Sequence, residues 1–160
     1  MDVSNEGGSV KVYIASDHAG FADKQLLVKE LMDEYDVVDL GPEEFAAQDD
    51  YPVYAQKVAS SVAANNGSFG ILLCRSGEGM QIAANKVDGA RAALVWNTHL
   101  ARETRADNDS NIVVLPTGEI DFAMMIDISR EFLLTKFSEA ERHQRRIEEV
   151  SKIEQGKELS

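Results

Sequence analysis

The sequence has little of several features that would place it in a specialised class of protein. Only 1 of its 160 residues is cysteine, so no disulfide can form within the chain and a reducing compartment is expected. No apolar run approaches the roughly 20 residues that a membrane helix needs. Residues 1–9 are polar and acidic and do not read as a signal peptide. We therefore expect them to be a flexible N-terminal extension of a cytoplasmic protein.

Positive charge is also scarce. Lys and Arg total 16 against 28 Asp and Glu, which gives a formal net charge of -12. Such an excess of acid repels polyanions, so the sequence predicts no binding to nucleic acid or to an acidic membrane surface. Residues 142–146 form the one basic cluster. This cluster is either a solvated helix face or a clamp for a small phosphate, because Arg142 and Arg146 are four residues apart on one face.

What the sequence does contain is the pattern of one α/β domain over residues 10–160. Hydrophobic residues make up 44% of the chain, which is typical of folded proteins. Alternating apolar runs and helical spacing predict about five parallel strands in a three-layer α/β/α, Rossmann-like sandwich. The predicted strands are residues 10–15, 37–40, 69–74, 90–96 and 112–115. The predicted helices are residues 21–32, 52–65, 80–86, 98–107 and 121–132.

A last helix is predicted over residues 138–157. It is strongly charged, and Ser138 with Glu141 three residues later forms a capping-box pattern. Its apolar stripe is narrow and consists of Ile147, Val150 and Ile153. We therefore expect this helix to pack on a partner or across the domain edge, and to serve in dimerisation.

Polar residues that could do chemistry follow three of the predicted strands. Asp17 and His18 follow the first strand, residues 74–79 follow the third, and residues 97–99 follow the fourth. Ligands bind at the carboxyl ends of strands in open α/β sheets, so these groups should converge on one cleft if their strands are neighbours. Taken singly, Asp17 is explained just as well as a helix cap, and His18 as a hydrogen-bonded histidine without a catalytic role.

The glycine-rich turn after the third strand is the strongest of these signals. Gly77 and Gly79 allow a ligand to approach the backbone, and the N-terminus of the following helix favours an anion. The turn lacks the dinucleotide and nucleoside-triphosphate signatures. It is either an anion cradle or a plain tight turn. Cys74 lies beside Arg75 and ahead of this helix, which favours a thiolate base or nucleophile, although an inert buried thiol fits equally.

Several motifs, taken together and in order over about residues 10 to 150, resemble the type B ribose-5-phosphate isomerases and the related galactose-6-phosphate isomerase subunits. The matched motifs are Ser-Asp-His-Ala-Gly-Phe at 16–21, Asp-Tyr-Pro at 50–52, Gly-Met-Gln-Ile-Ala-Ala-Asn-Lys at 79–86, Ala-Arg-Ala-Ala at 90–93, Asn-Asp-Ser-Asn at 108–111 and Arg-His-Gln-Arg-Arg at 142–146. The resemblance implies a five-stranded parallel α/β sandwich and a homodimer or dimer of dimers with shared active sites.

The resemblance also implies a chemistry, which is the interconversion of an aldose phosphate and a ketose phosphate through a cis-enediolate, without metal or organic cofactor. In that reaction Cys74 is the implied base and Ser76 moves a proton between two substrate oxygens. The backbone around Gly77, Gly79 and Met80, with Asn85, matches the anion hole. The other implied substrate contacts are Asp17 on a sugar hydroxyl, Tyr51 in the cleft, Asn108, and His18, Arg142, His143 and Arg146 on the phosphate side.

The sequence departs from the family pattern at four places. Arg75 stands where a glycine is expected, and Glu78 adds a carboxylate to the same loop. Asp107 stands where the family has the histidine that opens the sugar ring. Residues 117–119, Thr-Gly-Glu, stand where an arginine for the phosphate is expected. Glutamate-dependent members of the family carry their base where this chain has Met80, so the thiol remains the implied base here.

These departures suggest two compensations. In the first hypothesis Arg75 replaces the missing phosphate cation. In the second, His99 replaces the ring-opening histidine, alone or paired with Asp107. Residues 99 and 107 are about 11 Å apart along a helix, which argues against direct replacement. Otherwise His99 and Asp107 are surface residues and the substrate is open-chain, such as a tetrose phosphate. The competing functions are therefore a ribose-5-phosphate isomerase, an isomerase of a tetrose or hexose phosphate, and a non-catalytic sugar-phosphate binder.

Overall fold

A five-stranded parallel sheet with strand order β2-β1-β3-β5-β4 forms the middle layer of the protein, which a computed structural model describes over residues 8–160. The strands are β1 (Lys11–Ser16), β2 (Asp36–Asp39), β3 (Phe69–Cys74), β4 (Ala92–Leu94) and β5 (Ile112–Pro116). The helices are α1 (Phe21–Leu31), α2 (Tyr51–Ala64), α3 (Glu78–Ala84), α4 (Thr98–Asn108), α5 (Phe122–Leu134) and α6 (Glu141–Glu154). Most of the predicted extension, residues 1–9, lies outside the described residues.

Two hydrophobic cores, one on each face of the sheet, explain why these segments take up a three-layer arrangement. The first core packs α1, α4 and α5 on one face, and the second packs α2 and α3 on the other. β3 supplies both cores, because Ile71 and Leu73 enter the first while Leu72 and Cys74 enter the second. A strand covered on both faces needs a nearly continuous apolar sequence. The predicted three-layer sandwich is confirmed.

Most element boundaries differ from those predicted by one or two residues, and those of α6 differ by three. β4 is an edge strand that pairs only with β5, and its ladder covers only Ala92–Leu94. α3 ends at Ala84 because Asn85 caps it and turns the chain toward β4. α6 begins at Glu141 rather than at residue 138, so the predicted capping box is wrong. Ser138 Oγ instead accepts a hydrogen bond from the backbone of Ala140, at 3.3 Å, and contacts His143.

The segment between β2 and α2 is held against the turn between β1 and α1. These contacts position the rest of the segment and the start of α2. The Lys24 side chain is fully buried, and its Nζ donates to both Asp39 oxygens, at 2.8 and 3.0 Å, and to the carbonyl of Pro42 at 2.8 Å. The Gly41 carbonyl accepts from the backbone of Ser16. Because a buried ammonium must be paired, these bonds fix the start of the loop.

Within residues 8–160, no helix has both the length and the apolar character needed to cross a bilayer.

Candidate active site

The candidate site lies where the sheet reverses its direction of winding, between β1 and its neighbour β3. The backbone N–H of Asp17 donates to the carbonyl of Leu73 at 3.3 Å, so the residues after β1 lie directly beside the residues after β3. Gly20 permits this approach, since a Cβ there would lie 2.7 Å from the Leu73 Cβ. Such a switch point is where open α/β sheets bind their ligands.

The turn after β3 wraps backbone N–H groups around a thiol. Gly77 adopts a left-handed conformation, with φ of 79°, which favours glycine. A Cβ on Gly77 would also lie 2.4 Å from the Leu94 side chain. In this conformation the backbone N–H groups of Gly77, Met80 and Ser76 lie close enough to the Cys74 sulfur to lower the pKa of the thiol. The cradle is therefore made by the backbone, and the glycine is required for its shape.

Burial is the main influence on the Cys74 thiol, which is only 6% exposed. Burial raises the pKa of the thiol, and the nearby negative charge of Asp17 raises it further, whereas the surrounding N–H groups lower it. The sequence predicted that Arg75 and the helix N-terminus would favour the thiolate. That prediction is wrong, because the net shift of the Cys74 pKa is upward. Desolvation of the thiolate outweighs the effect of the N–H groups, and Arg75 projects to the surface.

Tyr51 closes one side of this turn. It is the first residue of α2, next to Pro52 at the helix start. Its ring lies over Gly79 so closely that a Cβ there would lie 2.6 Å from the ring carbon that bears the hydroxyl. The structure thus brings Tyr51 and the glycine-rich turn together, as the sequence predicted. Ser76 and Glu78 are exposed on the same turn, and the N–H of Glu78 donates to Ser76 Oγ at 3.4 Å.

Asp17 and His18 lie on the other side of the turn. The Asp17 carboxylate is buried, accepts from the backbone of Gly20 at 3.2 Å and caps a single 3₁₀ turn. Burial raises the pKa of Asp17, and the N–H of Gly20 and the charge of His18 partly offset that effect. The His18 Nδ1 lies 2.8 Å from Asp49 Oδ1. The sequence does not predict a role for Asp49, because nothing in the acidic loop at 43–50 distinguishes this carboxylate from its neighbours.

Arg75 packs on the turn that follows β5. The backbone of Thr117 donates to Cys74 and that of Gly118 donates to Arg75, each at 2.9 Å. A Cβ on Gly118 would lie 3.0 Å from the Arg75 Cγ. Arg75 therefore adjoins the turn where the family resemblance places a phosphate-binding arginine. A cavity of about 410 Å³ opens beside this turn. It is lined by Ser76, Glu78, Leu94, Trp96, Pro116, Glu119 and Ile120.

His99 does not join this group. β5 lies between β3 and β4, so the residues after β4 are one strand removed from Cys74. The exposed His99 ring faces Glu103, with 3.5 Å between Nε2 and Oε1, and Asp107 lies near the other end of α4. The expected pairing of His99 with Asp107 is therefore wrong. Of the three predicted strand ends, the first two meet at Cys74. After β4, Trp96 lines the cavity beside the turn, whereas His99 does not.

Asp107 instead belongs to a second group at the opposite edge of the sheet. Asp107 Oδ1 lies 3.6 Å from the Nδ1 of His143, which is itself buried and 3.1 Å from Ser138 Oγ. Asn108 and Arg146 line one cavity of about 650 Å³ beneath α6. Arg142 is exposed on the same helix. The second group thus contains three of the four residues implied for the phosphate side, Arg142, His143 and Arg146, together with Asp107 and Asn108. The fourth, His18, lies at the other edge of the sheet.

Asn85 lies with this second group and not in the turn around Cys74. Its side chain donates to the carbonyl of Ala92 at 2.9 Å and accepts from the N–H of Ala92 at 2.8 Å. Both polar groups of the amide are thus used to join α3 to β4. Its predicted place in the anion hole is wrong, because it lies at the far end of α3 from Cys74.

Comparisons with known proteins match nearly the whole of this chain. The family model described as Ribose/Galactose Isomerase matches residues 12–150. The ribose-5-phosphate isomerase B of Mycobacterium tuberculosis is 38% identical over 146 residues, covering 91% of this chain and 90% of the relative. A second match is the crystal structure of ribose-5-phosphate isomerase B from Mycoplasma genitalium with bound ribulose-5-phosphate, which is 39% identical in sequence. The match covers 92% of this chain and 97% of the Mycoplasma chain, with a TM-score of 0.88. The type B enzyme of Trypanosoma cruzi is 42% identical, covers 93% and 99%, and has a TM-score of 0.87. On the match of fold, length and sequence together, this chain belongs to the ribose/galactose isomerase family.

Proposed function

We propose that the protein is an aldose–ketose isomerase that converts ribose 5-phosphate to ribulose 5-phosphate. The observation that carries the proposal is a lone thiol placed at the switch point of the sheet, beneath a cradle of backbone N–H groups from Ser76, Gly77 and Met80. An isomerase of this kind needs a base for one carbon-bound proton and donors for the oxyanion that forms. Relatives named for this substrate support the choice of sugar.

The proposed chemistry uses Cys74 as the base. Its thiolate removes the proton from C2 of the open-chain aldose, the electron pair forms the C1–C2 double bond, and negative charge develops on O1. Ser76 passes a proton from O2 to O1, and the thiol returns its proton to C1 to give the ketose. Atoms and electrons balance without an external acceptor. The N–H groups of the turn stabilise negative charge first on sulfur and then on the substrate oxygens.

Asp17 and Tyr51 lie on the two sides of the turn and would contact the sugar chain. Asp17 is buried next to the thiol, so its carboxylate suits a substrate hydroxyl as hydrogen-bond acceptor. Tyr51 covers Gly79 and would limit how deeply the sugar enters. Arg75, Glu78 and the Glu119 cavity lie at the far side of the turn from His18.

The phosphate side of the site needs a second copy of the chain. Cys74 pairs with Pro116 at one end of β5, whereas the end of α4 lies near Arg91, at the other. β5 rises by about 13 Å between these ends, so one chain cannot present both groups to a single pentose phosphate. We therefore propose a homodimer, or a dimer of dimers, in which Asn108, Arg142, His143 and Arg146 of one copy complete the site of the other. The exposed Val150 and Ile153 of α6 support this role for the helix.

The replacement of the ring-opening histidine by Asp107 favours a second candidate, which is an isomerase of an open-chain substrate such as a tetrose phosphate. A third outcome is a sugar-phosphate binder without turnover. A base that is a thiol acts only while it is reduced, so we also place the protein in a reducing compartment such as the cytoplasm.

A coupled assay on a panel of phosphorylated aldoses tests this proposal. The panel contains ribose 5-phosphate, erythrose 4-phosphate and a hexose 6-phosphate, with the phosphate-free sugars as controls. We expect the highest kcat/KM on ribose 5-phosphate and none on the phosphate-free sugars. Highest kcat/KM on the tetrose phosphate would support the second candidate instead. Binding of every sugar phosphate without isomerisation would overturn the enzyme assignment.

A further inference from the structure

Asp49 makes two contacts with a single residue. Its Oδ1 accepts from the backbone N–H of His18 at 3.1 Å and lies 2.8 Å from His18 Nδ1. Thirty-one positions separate the two residues in the sequence, so the contact is made by the tertiary fold and not by a local turn. With Nδ1 occupied, the ring is fixed in orientation and its Nε2 has no hydrogen-bond partner among residues 8–160.

The burial of Asp49 shows that this carboxylate is not an ordinary surface acid. Its side chain is 6% exposed, while that of its partner His18 is 42% exposed. Its second oxygen, Oδ2, is buried with no hydrogen-bond partner among the described residues. Buried carboxylate oxygens are rarely left in this state, because an unpaired charged group is costly away from water. The two hydrogen bonds that Asp49 makes to His18 leave this cost of burying Oδ2 unexplained if Asp49 serves only to fold the loop.

The rest of the loop provides a contrast. Asp39, at its start, is paired on both oxygens by Lys24, which explains that carboxylate as an anchor. Asp50, next to Asp49, is exposed and makes no side-chain capping bond although it precedes α2. Asp49 alone among these three directs a buried charge at a ring that opens onto the candidate site.

We propose that Asp49 is a positioning residue, which bonds the His18 imidazole through Nδ1, favours its protonated form and leaves Nε2 to donate to the anionic end of the substrate. This inference rests on the proposed function, in which His18 lies on the phosphate side of the sugar. It adds to that function a residue that lies outside the motifs found in the sequence, and it predicts that substrate binding depends on pH.

The charges around His18 give the sign of this dependence. Asp49 and Asp17 are the charged groups that face the imidazole. The hydrogen bond to Asp49 is the main influence that raises the pKa of His18, and partial desolvation opposes it. An imidazolium attracts the phosphate below the pKa of His18, and this attraction is lost as the pH rises through that value. Without Asp49 the pKa falls, so the attraction should be lost at a lower pH.

The test compares Asp49→Asn with Asp50→Asn. Asparagine at 49 keeps an oxygen for the His18 backbone but removes the charge, and Asp50→Asn removes the same charge one residue away. We expect Asp49→Asn to raise KM for ribose 5-phosphate about tenfold, to change kcat by less than about threefold, and to move the pH at which KM rises to a lower value. We expect Asp50→Asn to leave KM and its pH profile unchanged. The substrate phosphate titrates identically in both variants, so it cancels from the comparison.

A second measurement is independent of catalysis. The protein has 3 histidines, and an NMR titration without substrate follows each ring once His18 is assigned by a His18→Gln variant. We expect the pKa of His18 above its ordinary value in the parent and lower in Asp49→Asn, and we expect the double variant His18→Gln with Asp49→Asn to have the KM of His18→Gln alone.

The inference is overturned if the parent His18 titrates at or below its ordinary value, which can be measured even if Asp49→Asn does not fold. It is also overturned if the two asparagine variants have equal KM and equal His18 titration. Absence of isomerase activity in the parent would count against the proposed function, and the titration would still decide the role of Asp49.

Discussion

The two edges of the sheet carry two different kinds of site. At the carboxyl edge, the turn after β3 surrounds a buried thiol with backbone N–H groups, and glycine makes the geometry possible. At the other edge, the second group consists of side chains on α4 and α6, and its arginines are exposed. One half is built from the backbone within one chain, and the other from long side chains that face outward.

This difference follows from the chemistry that each half is proposed to perform. Proton transfer at carbon requires the base and the anion donors to be fixed within a fraction of an ångström, and backbone groups on rigid elements provide that precision. Binding a phosphate requires charge and some adaptability, which exposed arginines supply. On this proposal the proton transfer belongs to the carboxyl edge, which shares in phosphate binding through His18, and the arginines of α6 supply the rest of the affinity.

The largest effect should come from the carboxyl edge. Cys74→Ser keeps the size of the side chain, but a hydroxyl holds its proton at neutral pH and cannot act as the base. We expect kcat to fall by about 10²- to 10⁴-fold, the usual contribution of a positioned base, with KM little changed. The coupled assay measures both constants. A variant that isomerises as fast as the parent would remove the thiol from the mechanism.

The pH profile serves as the control for this variant. The thiolate is the active form, so kcat of the parent should rise with pH. Because burial raises the pKa of Cys74, the midpoint of this rise should lie above the ordinary pKa of a thiol. Residual activity of Cys74→Ser should lack this rise. Equal melting temperatures of parent and variant would exclude unfolding as the cause.

The next effect tests whether the halves of one site come from different copies. Arg146→Ala removes a charge-assisted contact, and we expect it to raise KM by about ten- to a hundredfold. A mixed dimer of Cys74→Ser and Arg146→Ala should contain one intact site, so refolding an equal mixture should restore about a quarter of the parental kcat/KM, measured at substrate concentrations well below the KM of Arg146→Ala. The matched control is a mixture of Cys74→Ser with Ser76→Ala, whose defects both lie at the carboxyl edge. Recovery in neither mixture would contradict the shared site.

The sequence predicted the half whose signals are local. The apolar run of β3, the glycines after it and Cys74 at its end are consecutive, so the pattern was sufficient to locate the turn. The sequence did not predict what depends on strand order or on long-range contacts. Chain order alone does not indicate that β5 separates β4 from β3, which is why His99 was misplaced.

The other errors have separate causes. Asp49 meets His18 only through the tertiary fold, across 31 positions, and Asn85 is bonded to Ala92, seven positions on, where β4 begins. The start of α6 was set too early because Glu139 takes up a left-handed conformation, with φ of 59°, that breaks the helical pattern before Glu141. The sequence of an acidic run does not indicate which of its carboxylates is buried, so only the structure identifies Asp49.

The smallest effect concerns Arg75, the one arginine that lies at the carboxyl edge beside Cys74. It packs on Gly118, next to the turn expected to hold a phosphate-binding arginine, while Glu119 of that turn carries the opposite charge. Because Arg75 is exposed, its attraction for the substrate is screened by salt. We expect Arg75→Ala to raise KM about threefold at low salt and by less at high salt, with kcat unchanged. Arg102→Ala is the matched control, since that arginine pairs with Glu131 away from the site. An unchanged KM in Arg75→Ala at low salt would leave His18 as the cation of this half that is proposed to reach the phosphate, and would assign the remaining affinity for phosphate to the arginines of α6.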